Sequence, residues 1–109
     1  MAKTVSFDYG STHYTLGFNR STAVTLEQQG FNYERLGDKP NTYIPMLFYG
    51  SFAQYHKGVK RNTVDAIYDA LPDKQNLIMA LVEAYLEVGN SLFDEPEGDE
   101  GNVSWVQNG

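Results

Sequence analysis

Two short segments near the start of the chain alternate between apolar and polar residues. The first runs from Lys3 to Tyr9 and the second from Thr12 to Phe18. A period of two puts alternate side chains on opposite faces of a strand. The intervening Gly10-Ser11 suits a two-residue turn. The pattern therefore predicts a β-hairpin over residues 3–18, whose apolar face must pack on other elements because an isolated hairpin is marginally stable in water.

Residues 19–93 instead repeat apolar side chains every three or four positions, which is typical of amphipathic helices. Asn19 suits the N-cap of a first helix and Gly30 its left-handed end. An N-cap at Asn41 or Thr42 would put Pro45 in the first turn of a second helix, where its missing amide costs nothing. The predicted helices span residues 20–29, 42–57, 63–71 and 74–88, with a short turn near Tyr33 to Leu36.

The last two predicted helices have their own boundary residues. Asn62 or Thr63 is expected to cap the third helix, and Pro72 to end it. Asp73 is expected to cap the fourth helix, and Gly89 to end it. At 109 residues the chain suits one domain. The sequence thus predicts an α+β fold over residues 1–93, in which an N-terminal hairpin precedes about four helices packed as a small bundle.

Composition changes abruptly at residue 94. All eight Lys and Arg and nine of the fourteen Asp and Glu precede it, so residues 1–93 carry a net charge of −1 and residues 94–109 carry −5. Asp94 to Gly101 has no apolar area to offset the entropy lost on ordering a backbone. The segment is therefore predicted to be a disordered acidic tail. Trp105, the only tryptophan, then acts as a contact residue on a soluble tether, although it could also fold back onto the body.

The chain lacks the residue patterns of the common catalytic and metal sites. It has no cysteine, and His13 and His56 have no second ligand at helical spacing, so no metal or cofactor is predicted. Asp65 and Asp69 could form a carboxylate pair, but a solvated helix face explains them better. We therefore predict that the protein is not an enzyme.

Charge and hydropathy also exclude two classes of partner. Lys57, Lys60 and Arg61 are the only basic cluster, too small to predict a nucleic-acid interface. The longest apolar stretch, Leu77 to Val88, contains two glutamates and is shorter than a membrane span. The start of the chain has no apolar run of signal-peptide length. We expect a cytoplasmic protein that binds neither nucleic acid nor membrane.

Aromatic residues are concentrated in the second predicted helix. At helical spacing such residues more often belong to the core, but a domain this rich in aromatics can leave some exposed for a partner. The second and fourth helices are expected to form a groove for that partner. The predicted partner-binding residues are Tyr43, Phe48, Tyr49, Phe52, Tyr55, Tyr85 and Trp105.

Several blocks occur in a family-like order: KTVSFDY, HYTLGFNR, LEQQGFNYERLGDKP, TYIPMLFYGSF, VKRNTVDAIYDALPDK and SLFDEPEGDEGNVSW. From Met1 to Trp105, this order resembles the tail assembly chaperones of long-tailed bacteriophages of Gram-positive hosts. The resemblance implies a protein of the host cytoplasm that keeps the hydrophobic tape-measure protein soluble and is absent from the finished virion. It implies no catalytic residues.

The resemblance also implies a second partner. In such phages a longer product, made by programmed frameshifting, is thought to recruit tail-tube protein. Self-association into a homo-oligomer stays open. Two other functions also stay open: an acidic inhibitor of a host protein, which predicts acids patterned on the folded body, and a head-tail connector, which predicts the protein in purified particles.

Overall fold

A hairpin followed by four helices forms the fold, as predicted. The computed structural model describes residues 3–94 and 104–108. The tail that is predicted to be disordered, residues 94–109, lies mostly outside these ranges. The elements are β1 (Thr4–Tyr9), β2 (Thr12–Gly17), α1 (Arg20–Gln28), a 3-10 turn (Tyr33–Arg35), α2 (Pro40–Gly50), α3 (Arg61–Ala70) and α4 (Lys74–Ser91).

The two strands pair antiparallel through the predicted turn. Val5 lies opposite Leu16, and Gly10 adopts a positive φ of 62° that suits glycine. The hairpin packs against α4. It also joins the end of α2, because the Gly17 N–H donates to the Ser51 carbonyl at 3.0 Å.

Both ends of α1 follow local rules in the sequence. The Asn19 side chain accepts from the Thr22 N–H at 2.9 Å, and the Thr22 hydroxyl accepts from the Asn19 N–H at 2.9 Å. This reciprocal capping box satisfies two amides that a helix start leaves unpaired. Gly30 is left-handed, with φ of 90°, and the Phe31 N–H donates to the Leu26 carbonyl at 3.0 Å. The predicted cap and end of α1 are confirmed.

The boundaries predicted for α2 are wrong at both ends. The helix begins at Pro40, whose fixed φ suits a first position, so Asn41 and Thr42 are not caps and Pro45 lies inside the helix. It ends at Gly50, not at residue 57. The α-helical bonding gives way to 3-10-type bonds here, because the Phe52 N–H donates to the Tyr49 carbonyl and the Ala53 N–H to the Gly50 carbonyl, each at 3.2 Å. The Ser51 carbonyl accepts from Gly17 of β2 at this point, so a contact distant in sequence holds this end of the helix against the hairpin.

Corrections also apply to the caps of α3 and α4. Lys60, not Asn62 or Thr63, precedes α3 and makes no side-chain cap. Asp73 does occupy the position before α4, but its backbone is left-handed, and its carboxylate accepts from the Asn76 side-chain amide at 2.9 Å. It therefore does not cap a backbone N–H.

The ends of these two helices differ as well. Leu71 leaves α3 in the extended conformation that a following proline favours, so Pro72 ends the helix as predicted. Gly89 does not end α4, which continues to Ser91, because Gly89 lacks the positive φ that ends α1 at Gly30.

One apolar core joins the hairpin to all four helices. No described helix is long and apolar enough to cross a membrane. The Ser51 hydroxyl is also buried and donates to the Phe48 carbonyl, so this polar group is satisfied inside the core. The buried apolar residues are Leu16, Phe18, Leu26, Phe31, Leu47, Phe48, Phe52, Val64, Ile67, Leu81 and Ala84.

Candidate partner-binding groove

Two of the predicted partner-binding residues belong to the core. Phe48 is 2% exposed and Phe52 is 0% exposed. Their rings pack edge to face at 5.1 Å between centroids. Neither side chain can reach a partner while the domain is folded, so these two assignments are corrected in favour of the core interpretation.

The other predicted aromatics keep accessible surface. Tyr43 and Tyr85 are half-buried, whereas Tyr49, Tyr55 and Trp105 are exposed. The Arg61 guanidinium lies 4.8 Å from the centre of the Tyr49 ring, close enough for a cation–π contact. Of these residues, Tyr85 lines the groove described next, and Tyr49 lines a separate, smaller recess.

An open apolar groove runs between α1 and the C-terminal half of α4. Its volume is about 800 Å³. The groove predicted between α2 and α4 is therefore corrected, because the apolar stripe of α2 faces the core. The groove is lined by Arg20, Ala23, Val24, Glu27, Gly30, Phe31, Asn32, Tyr33, Tyr85, Leu86, Val88, Gly89, Asn90, Leu92 and Phe93.

Aromatic rings form the floor of the groove. Tyr85 packs edge to face against Phe31 at 5.1 Å and against Phe18 at 5.6 Å between centroids. Tyr43 supports Phe31 from its other side at 6.0 Å. Edge-to-face packing fixes ring orientation as well as burying area. The floor of the groove is therefore continuous with the core.

Burial also changes the acidity of this floor. It raises the pKa of the Tyr85 hydroxyl above its ordinary value, and the nearby Glu27 carboxylate raises that pKa further. The hydroxyl therefore stays neutral at physiological pH. It can offer a hydrogen bond within a largely apolar surface.

The rim of the groove carries exposed apolar side chains. Val24 is 46% exposed on α1, and Tyr33 is exposed on the connector that follows. Leu92 and Phe93, at the end of α4, are 61% and 87% exposed. Single apolar residues on a surface are ordinary, but a cluster around a concave site marks a candidate binding surface.

Glycine helps to keep the groove open. A Cβ atom added to Gly89 would meet nothing within 4 Å. Gly89 therefore leaves a gap in the wall made by α4. A side chain at this position would project into open space without disturbing the core.

Glycine has the opposite role where α1 crosses α2. A Cβ atom on Gly50 would lie 2.9 Å from the Leu26 Cδ2 atom. The absent side chain lets the two helices approach. A smaller recess of about 270 Å³ remains beside this crossing.

The described part of the chain contains no group of three or more side chains that could hold a metal ion. His56 accepts from the Thr15 N–H at 3.0 Å, and the His13 and Asp8 side chains are 2.6 Å apart. Asp65 and Asp69 are both exposed on α3. Both histidines thus take part in hydrogen bonds within the fold.

Sequence patterns did not identify the rim residues. Val24 interrupts the otherwise polar outer face of α1, and Leu92 and Phe93 directly precede the acids. These features of the sequence could have indicated the rim residues. They could not identify a groove, because the pairing of α1 with α4 is a long-range contact.

The fold and the groove define a small α+β domain with an exposed, largely apolar groove. The chain belongs to the family described as a domain of unknown function, DUF5055, whose model matches residues 1–108. No curated protein and no solved structure matches the chain.

Proposed function

We propose that the protein is a phage tail assembly chaperone whose α1/α4 groove binds the hydrophobic tape-measure protein. It would keep this client soluble in the host cytoplasm and help to recruit tail-tube protein during tail assembly. The order of sequence blocks from Met1 to Trp105 supports the proposal from the sequence. The observation that carries it is the exposed apolar groove between α1 and α4.

The groove suits a helical client. An amphipathic helix binds by laying its apolar face into a hydrophobic groove. One wall is formed by one face of α1, which is nine residues long and at 1.5 Å per residue about 13 Å in length. Each domain would therefore cover about two turns of the client, and several copies would be needed along a long helix.

The charge distribution suits a protein that carries exposed apolar surface. The whole chain has a net charge of −6, of which −5 lies in residues 94–109. Like charges on neighbouring molecules repel and limit self-association. A client coated with such domains would also acquire negative charge and remain soluble.

Co-expression with the tape-measure protein of the same phage tests the proposal. A Val24→Asp, Leu92→Asp variant puts charges on two exposed rim positions without entering the core. Met79→Asp is the matched control, since Met79 is 55% exposed on α4 and is not among the groove residues. We expect the control and the wild type to keep the tape measure in the soluble fraction, and the double variant to lose it.

Two results would contradict the proposal. The first is that the wild type fails to solubilise the tape measure. The second is that the folded double variant solubilises it as well as the control does. Circular dichroism of each purified variant establishes that it is folded. A slippery sequence near the stop codon, followed by an overlapping frame and a long tape-measure gene, would add independent support.

A further inference from the structure

The most exposed apolar side chains lie on both sides of the acidic segment. Leu92 and Phe93 are 61% and 87% exposed directly before it, and Trp105 and Val106 are 83% and 77% exposed after it. Among the large apolar side chains of residues 3–94 and 104–108, no others are as exposed. Two such pairs, close in sequence, can cover each other.

We propose that Trp105 and Val106 dock into the α1/α4 groove of their own chain, over Leu92 and Phe93. The exposed arrangement of these four side chains is then the open state of the groove. The docked state buries the indole against the aromatic floor.

The connection is long enough for this contact. Eleven residues separate Phe93 from Trp105, and an extended chain spans about 3.3–3.6 Å per residue, so the reach is on the order of 40 Å. The groove begins where α4 ends, and its α1 wall is only about 13 Å long at 1.5 Å per residue. Trp105 can therefore reach any part of the groove.

The chemistry of the groove suits an indole. Phe31 and Tyr85 already pack edge to face at 5.1 Å, and aromatic rings add to such clusters with favourable edge-on contacts. Gly89 leaves open space beside them. The acidic residues would remain in water, because only the residues at the far end of the tail need enter the groove.

A short tether favours docking within one chain over docking into a second copy. Confinement within the reach given above corresponds to an effective concentration on the order of 1 mM. Purified protein at micromolar concentration presents far fewer grooves from neighbouring molecules. Docking should therefore be independent of protein concentration.

Docking would also reduce the binding of other partners. A partner can bind only the molecules whose groove is free. Its apparent affinity is therefore its intrinsic affinity multiplied by the fraction of molecules with a free groove. This consequence rests on the proposed function, because it requires a client for the same groove. The docking itself does not, and it can be measured without any client.

Fluorescence of the full-length protein tests the docking directly, because Trp105 is the only tryptophan. The reference is a synthetic peptide of residues 94–109, whose indole is free in water. If at least half of the molecules are docked, acrylamide should quench the full-length protein at least about two-fold less than the peptide. The emission maximum should also shift to shorter wavelength.

Two variants of the full chain establish where Trp105 docks. Val24→Asp should restore peptide-like quenching, and Met79→Asp should leave the wild-type value. If Val24→Asp does not fold, Leu92→Asp replaces it, since Leu92 is more exposed.

Three results would overturn the proposal. One is equal quenching of the full-length protein and the peptide. Another is equal behaviour of the groove variant and the control. The third is protection that appears only as protein concentration rises, which would assign the contact to a second copy. None of these results depends on the tape-measure protein, so failure here leaves the proposed function standing.

Discussion

At the scale of single residues, Tyr85 connects the core to the groove. Its ring packs edge to face with Phe18 and with Phe31, while the residue also lines the groove. Its hydroxyl has a raised pKa because of burial and the Glu27 carboxylate. Tyr68, which lies on α3 and packs against Phe48 of α2, has a raised pKa because of burial and the Asp69 carboxylate.

Replacing Tyr85 by Phe should make the protein less sensitive to alkaline pH. A raised pKa in the folded state means that the native protein holds this proton more tightly than the unfolded chain does. This contribution to stability is fully present at pH values below about 10, the pKa of tyrosine in the unfolded chain. It is lost as the pH rises through the higher pKa that Tyr85 has in the folded protein. Urea unfolding at a series of pH values from about 9 upward measures the loss. An identical decline in wild type and Tyr85→Phe would contradict the assignment.

Phe52 and Tyr55 should differ sharply in their contribution to stability, although both were predicted to bind a partner. Phe52 is 0% exposed and Tyr55 is 49% exposed. Phe52→Ala leaves a cavity in the core and should cost about 3–5 kcal/mol. Tyr55→Ala should cost less than about 1 kcal/mol, as surface substitutions do. Chemical denaturation measures both, and similar losses would contradict the burial described for Phe52.

At the scale of elements, small residues determine how closely the helices approach. Gly50 allows α1 to pack on α2 through Leu26, whereas Gly89 faces open space in the wall of the groove. The two glycines are therefore expected to respond in opposite ways to the same substitution. The contrast arises from their surroundings, because both lie within helices.

Gly50→Ala should destabilise the protein and Gly89→Ala should stabilise it. Alanine gains about 0.5–1 kcal/mol over glycine inside a helix. At Gly50 the new Cβ would lie 2.9 Å from the buried Leu26 side chain, and overpacking costs about 1–3 kcal/mol, which exceeds the gain. At Gly89 nothing opposes the gain. Thermal unfolding of both variants measures the difference, and a change of the same sign in both would be the contrary result.

Elements whose signals are local could be predicted from the sequence. The hairpin turn at Gly10 and the two ends of α1, at Asn19 and Gly30, depend on residues within a few positions of each other. The end of α2 could not be predicted, because the Ser51 carbonyl is engaged by Gly17, which lies far away in sequence. The same limit applies to the groove, since α1 and α4 meet only in the folded chain.

At the scale of the whole molecule, apolar surface and charge are separated. The described domain presents one large apolar groove between α1 and α4, and most of the net negative charge lies beyond residue 93. A protein that binds apolar helices needs both features, because the binding surface alone would promote self-association. This separation is consistent with the proposed chaperone function, which rests on the groove.

Site-specific photo-crosslinking would show whether the α1/α4 groove contacts the proposed client. A photoreactive amino acid replaces Val24 in the groove or Met79 outside it, and each variant is co-expressed with the proposed tape-measure client. Both positions are exposed, so a difference between them reports location and not access to solvent. We predict a crosslink to the tape measure from position 24 and little or none from position 79. Crosslinking from position 79 alone, or from neither position, would contradict the account.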